Sequence, residues 1–113
     1  PSLVLSNAFR AGVTGFAKSL AMELAERGVT VNVLAPGSHN TPAIERVIKK
    51  RRETEGISLE EARRRMESSI PVGRMGEAEE LASLAAWLMS PLSSYVTGQT
   101  ISHDGGTVSG IFG

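Results

Sequence analysis

Between Val29 and Leu34 the chain reads VTVNVL, a short and almost unbroken apolar run that Pro36-Gly37 closes. A run rich in β-branched residues, with no polar alternation, suits a strand covered on both faces, as in a parallel sheet. A second run, Val96 to Ser102, has the same character and ends at Asp104-Gly105-Gly106. The segments between them are helical in pattern, so the two strands are expected to pair in parallel across a helical crossover. Two strands alone do not make a stable covered sheet, and more strands are expected alongside them. The sequence also has no initiating Met and opens almost inside a helix, so a C-terminal part of a longer fold is expected.

The helices are marked by period and by caps. From Leu5 to Arg27 the residues Phe9, Val13, Phe16, Leu20 and Leu24 recur at helical spacing. Arg27 suits the negative end of that helix, and Gly28 suits its C-terminal cap. Thr41 with Pro42 predicts the start of a short helix reaching Ile48. Lys49 to Gly56 is dense in charge and is expected to be exposed and mobile. Ser58 with Glu61 predicts a capping box for a helix to about Ser68, which Ile70-Pro71 breaks. Glu77 to Met89 reads as a third amphipathic helix, stopped by Ser90-Pro91.

Composition narrows the function classes. The chain has 113 residues, enough for one domain with a modest core. Its formal net charge is zero, so neither a nucleic-acid nor an acidic-membrane partner is suggested. It has no cysteine, which removes disulfides, thiolate metal sites and a cysteine nucleophile together. No apolar run approaches the roughly 20 residues needed to span a bilayer, and the first residues do not read as a signal peptide. A cytoplasmic location is the expectation.

Three segments carry a resemblance. They are AKSLAMELAERG followed by VTVNVLAPG and Thr41, then PVGRMGEAEELASLAAWLMS, then SSYVTGQTISHDGG. In this order and spacing they resemble the C-terminal half of the short-chain dehydrogenase/reductase family, closest to its oxoacyl-carrier-protein reductase-like members. The resemblance covers nearly the whole chain. It implies an α/β fold, the C-terminal part of a Rossmann-type doubly wound parallel sheet with flanking helices. Residues 1–113 would then be the C-terminal portion of a single NAD(P)-binding domain. Its phosphate-binding N-terminal half is absent from this chain, which has no Gly-x-Gly-x-x-Gly after a strand and before a helix.

The same resemblance implies site residues. Family members carry a Tyr-x-x-x-Lys pair in the first long helix, where the tyrosine handles the substrate proton and the lysine lowers its pKa and bonds the ribose. Here Ser6 stands at the tyrosine and Arg10 at the lysine. Arg10 retains donors for ribose hydroxyls but stays protonated, and Ser6 is a far weaker acid than a phenol. A structural role, Ser6 as a helix cap and Arg10 as a solvated residue, stands beside the catalytic one. The only tyrosine, Tyr95, lies in another segment.

Pro36, Gly37, Ser38 and Thr41 match the turn that borders the nicotinamide in the family, with Thr41 bonding its carboxamide or phosphate. A simple strand-ending turn with Thr41 as a cap is the alternative. His39, in that turn, is a further proton-donor hypothesis. Arg46, Lys49 or Arg51 would meet an anionic substrate tail such as a phosphopantetheine thioester. His103 replaces an apolar residue of the family, and no metal site is expected there. The implied activity is hydride transfer between NAD or NADP and a small-molecule carbonyl or secondary alcohol. A catalytically impaired, cofactor-binding or structural subunit is the alternative. A homo-oligomer, dimer or tetramer, is expected, with Ile111 and Phe112 buried against a partner subunit.

Overall fold

The computed structural model describes residues 2–109. Ile111 and Phe112, expected above to be buried against a partner subunit, lie outside them. The chain divides into two compact units, Pro1–Leu34 with Ala85–Ile101, and Ala35–Leu84 with Ser102–Gly113. The described elements are helix α1 (Ser2–Leu24), strand β1 (Val33–Pro36), helices α2 (Pro42–Glu55), α3 (Leu59–Ser68) and α4 (Ala78–Leu88), and strand β2 (Thr100–His103). The strands form a two-stranded sheet. The ladder is parallel: Val33 N–H donates to Gln99 O at 2.8 Å, and four residues on Gly37 N–H donates to His103 O at 3.0 Å.

In the first unit, α1 ends in a 3-10 turn, Ala25–Arg27, and Gly28 closes it with φ 73°. That left-handed cap is the role expected of this glycine. The strand begins later than expected, at Val33 rather than Val29. The reason is chemical. Val31 N–H donates to Thr97 Oγ1, and Asn32 spends its side chain on Val96 O and on the N–H of Gln99. Side chains therefore hold this stretch in place where a ladder was expected. β2 is shorter at its start for a related reason, since Gly98 turns with φ 69°. Lys18 Nζ donates to Gly98 O at 3.2 Å, and the fully buried Ala21 packs beneath that turn.

Much of the apolar stripe of α1 is exposed. Phe9 is 67% exposed and Phe16 68% exposed, and both line a shallow groove with Leu5 and Val13. Among the described side chains of this helix, only Ala21 is buried. Neither strand is covered on both faces within the chain either.

The second unit holds the packed core: Ile48, Ala62, Ile70 and Met75, with Ile44, Ile57 and Met66 against them. α2 and α3 build it. Thr41 Oγ1 accepts from Ile44 N–H and Pro42 takes the first helical position, as expected. α2 does not stop at Ile48 but runs through the charged stretch to Glu55, and Gly56 caps it with φ 65°. Lys, Arg and Glu are good helix formers, and Arg51 pairs with Glu55 one turn on at 3.1 Å. Charge density thus marked an exposed helix face.

Ser58 caps α3, its Oγ accepting from Glu61 N–H at 3.1 Å. The expected reciprocal arm is missing because the Glu61 carboxylate bonds Arg64 and Arg65. Those two guanidiniums hold it down to about pKa 2. At the start of α4, Glu80 reaches back to the N–H of Glu77 at 2.8 Å. No helix among the described residues is long and apolar enough to cross a membrane.

Candidate functional site

β1 delivers its chain to a turn, Gly37 to Thr41, built in the second unit. Gly37 is required there by contact. A Cβ on it would lie 2.7 Å from Asp104 Cβ and 2.8 Å from Asp104 Cα. The turn is then stitched to the segment before α4. Gly76 N–H donates to Ser38 O at 3.0 Å, and Asn40 N–H donates to Gly76 O at 2.8 Å. Asn40 also donates from its amide to Glu77 Oε1 and accepts from Arg63, which in turn pairs with Glu45. Thr41 Oγ1 accepts from Ile44 N–H as the α2 cap, and its O–H has no acceptor among the described residues.

His39 is buried, 7% exposed, and fully partnered. Its Nδ1 lies 3.1 Å from Gly37 O and its Nε2 lies 2.8 Å from His103 Nδ1. A carbonyl only accepts, so His39 Nδ1 carries a proton. With both rings neutral, His103 Nδ1–H donates to His39 Nε2. The rings lie nearly parallel, 18° apart, with centroids 5.0 Å apart. His39 Nε2 also closes on Gly76, where a Cβ would meet the ring at 2.7 to 2.8 Å.

A cleft of about 270 Å³ opens beside this pair, lined by Ser38, His39, Arg74, Glu80, Ser102 and His103 among others. Arg74 forms a bidentate pair with Glu80 at 2.9 and 2.7 Å. That pair, with the Glu77 N–H, holds the Glu80 carboxyl down to about 2. Asp104 accepts from the N–H groups of Val108 and Gly106, both at 2.9 Å, and these bonds lower its pKa.

Thr41 opens on a different groove, with Asn40, Glu45, Arg46, Lys49 and Arg63. Of the cations considered for an anionic tail, Arg46 and Lys49 line it, whereas Arg51 is turned to Glu55. Among the described residues no group of three or more His, Cys, Asp or Glu side chains is placed to hold a metal.

Ser6 and Arg10 sit one turn apart in the interior of α1, in the first unit. The helix starts at Ser2, so Ser6 is not its cap, which corrects the structural alternative given above. Ser6 is half-buried and Arg10 exposed. Pro36 ends β1, Gly37 and Ser38 follow it, and Thr41 caps α2.

The link between His39 and His103 escaped the sequence reading, which treated each histidine alone. The usable signal was register. If the two strands pair in parallel at their Pro-Gly and Asp-Gly ends, the residues flanking those ends become neighbours.

Comparison with known proteins covers the same segments. A family model described as enoyl-(acyl carrier protein) reductase matches residues 1–108. The 3-oxoacyl-(acyl-carrier-protein) reductase of Thermotoga maritima is 46% identical over 101 residues, which are 89% of this chain and 37% of that protein. The 3beta-hydroxysteroid dehydrogenase 1 of Eggerthella lenta is 44% identical over 99 residues, 88% of this chain and 34% of that protein. The chain thus spans about a third of the length of these curated relatives.

Among solved structures, a variant of actinorhodin polyketide ketoreductase with NADPH superposes with TM-score 0.82 at 36% identity, covering 91% of this chain and 40% of that one. YwfH, an NADPH-dependent reductase involved in bacilysin biosynthesis, gives TM-score 0.81 at 37% identity, covering 89% and 38%. The α/β arrangement is that of a Rossmann-type doubly wound parallel sheet with flanking helices. On the family model, the relatives and the fold together, the chain belongs to the short-chain dehydrogenase/reductase family.

Proposed function

We propose that this chain is the C-terminal portion of one NAD(P)-binding Rossmann-type domain of an oxidoreductase. The reaction is hydride transfer between NAD or NADP and a small-molecule carbonyl or secondary alcohol, oxoacyl thioesters included. The observation that carries the reading is the Gly37–Thr41 turn. It leaves the carboxyl end of β1, where open α/β sheets bind dinucleotides, and Gly37 has no room for a side chain. Pro36, Gly37 and Ser38 would border the cofactor, and the Thr41 hydroxyl would donate to a carboxamide or phosphate oxygen. The nicotinamide, when bound, supplies or accepts the hydride.

Carbonyl reduction also needs a proton at the substrate oxygen. Ser6 stands at the position of the family's proton donor and Arg10 at that of its lysine. With the cofactor bound, Arg10 would supply fixed positive charge and hydrogen bonds to the ribose, and Ser6 would relay the proton through a water. Because serine is a weak acid, this relay is slow. The second reading follows from the same pair: a family member that binds cofactor and turns over poorly, serving as a structural subunit. Arg46 and Lys49 favour an anionic substrate tail over a neutral one.

Oxidation of NADPH and NADH by the full-length protein, across ketones and oxoacyl thioesters, separates the two readings. Substrate-dependent oxidation supports the enzyme. Cofactor binding with no turnover supports the second reading. Ser6→Tyr with Arg10→Lys is expected to raise the rate by about 100-fold or more if only the relay is deficient.

A further inference from the structure

We propose that His39 and His103 form a proton-sharing latch that positions the Ser38–Thr41 turn and releases it in acid. The argument rests on hydrogen-bond stoichiometry. His39 Nδ1–H is committed to Gly37 O at 3.1 Å, and one N–H···N bond of 2.8 Å joins His39 Nε2 to His103 Nδ1. A bond between two ring nitrogens needs one proton between them.

With both rings neutral, His103 donates and His39 accepts. One extra proton is accommodated, because either ring as a cation still donates to a lone pair on the other. A second extra proton places N–H against N–H at 2.8 Å, between two cations of which His39 is buried and His103 half-buried. The bond then cannot form and the rings must part.

Parting has a defined structural consequence. The His39 ring is held between Gly37 O, His103 and the backbone of Gly76, where no Cβ fits. Its own backbone bridges to Gly76. If the ring leaves, the bonds Gly76 N–H to Ser38 O and Asn40 N–H to Gly76 O lose their support.

The surrounding charges do not supply the second proton's counter-charge. Glu80 on α4 is the carboxylate that interacts with His103, but Arg74, in the segment before α4, holds it in a bidentate pair. Asp104, next along the chain, spends both oxygens on the N–H groups of Gly106 and Val108. Glu77 is taken up by Asn40.

The sign follows from proton counting. An unfolded chain binds a proton on each imidazole as the pH falls below about 6.5, whereas the latched state holds only one. Stability is therefore fully present above about pH 6.5 and falls below it. The largest effect at pH 5 is about 30-fold in the folding equilibrium, from one proton excluded over about 1.5 pH units. That the latched turn meets the cofactor rests on the function proposed above. The latch itself does not.

The test compares the native full-length protein with His103→Gln, whose amide bonds His39 in either protonation state. Folding equilibria from denaturant titrations at pH 7.5 and 5.0 should diverge, with wild type losing about 10- to 30-fold more than the variant. Exchange of the Gly76 and Asn40 amides should accelerate in wild type alone. Equal pH dependence of stability in the two proteins would overturn the latch.

If His103→Gln does not fold, ring-nitrogen NMR on wild type decides. Two imidazoles reaching the doubly cationic state at pH 5 with Gly76 and Asn40 protection unchanged would also overturn it. The cofactor link is read separately, as the pH profile of NADPH affinity. A latch that opens without altering that affinity rejects the turn's cofactor role and leaves the latch standing.

Discussion

Two glycines and one buried isoleucine make the argument at the scale of single residues. Gly37 and Gly76 lack side chains because Asp104 and the His39 ring occupy the space. Gly37→Ala would put its Cβ 2.7 Å from Asp104 Cβ and 2.8 Å from Asp104 Cα and is expected to cost about 1–3 kcal/mol, read as a lowered urea midpoint. Ile48 is 2% exposed at the centre of the α2–α3 core. Ile48→Ala should cost about 2–5 kcal/mol in the same assay. A loss below 1 kcal/mol would mean that the core does not hold this part of the chain.

At this scale the sequence showed which residues punctuate the fold, since Gly28, Thr41, Pro42 and Ser58 each do what their chemistry suggests. It did not show His39 meeting His103. Their link spans 64 positions and depends on strand register, which no local pattern carries.

Among the elements, helices were legible and strand starts were not. α3 and α4 follow their caps and apolar period to within a residue or so. β1 and β2 start late because Asn32, Thr97 and Gly98 replace ladder bonds with side-chain bonds and a left-handed turn. A window of β-branched residues gives no sign of that exchange. α2 outran its expected end because opposite charges one turn apart stabilise a helix that looks like a loop by composition.

Two element-scale predictions follow from caps and carboxylates. Ser58→Ala should cost about 1 kcal/mol by removing the α3 cap, while Ser58→Asp should restore most of it in the same denaturant titration. Glu61 and Glu80 ionise at about 2 in the folded chain against 4.5 ordinarily. Their folded-state values are depressed, so their contribution is complete above about pH 4.5 and is lost as the pH falls from there toward 2. Thermal midpoints measured across that window should fall less steeply in a Glu61→Gln, Glu80→Gln variant. Added salt should shrink the difference, because both pairs are exposed.

The whole molecule leaves a good deal of apolar surface uncovered. Phe9, Phe16, Leu92 and Met89 are all more than 60% exposed, and the sheet has two strands. Patches of this kind mark surfaces that are covered in the working protein. The isolated 113-residue chain is therefore expected to self-associate and unfold without a sharp transition, checked by sedimentation and calorimetry. A soluble monomer with cooperative unfolding would contradict the proposal that it is one portion of a larger domain.

The family was legible from resemblance, carried by the order and spacing of VNVLAPG, GRMGEAEEL and YVTGQTISHDGG. The activity was less so, because Ser6 and Arg10, which the resemblance sets at the family's proton-relay pair, lack its acidity. We propose that the Gly37–Thr41 turn serves a nicotinamide cofactor. Equilibrium titration of the full-length protein with NADPH and with NADH, followed by nicotinamide fluorescence, tests it most directly. Saturable binding is predicted, weakened about 10-fold by Thr41→Ala, the loss of one hydrogen bond, and retained in Thr41→Ser. A folded protein that binds neither dinucleotide, or binds equally well without the Thr41 hydroxyl, would contradict the account.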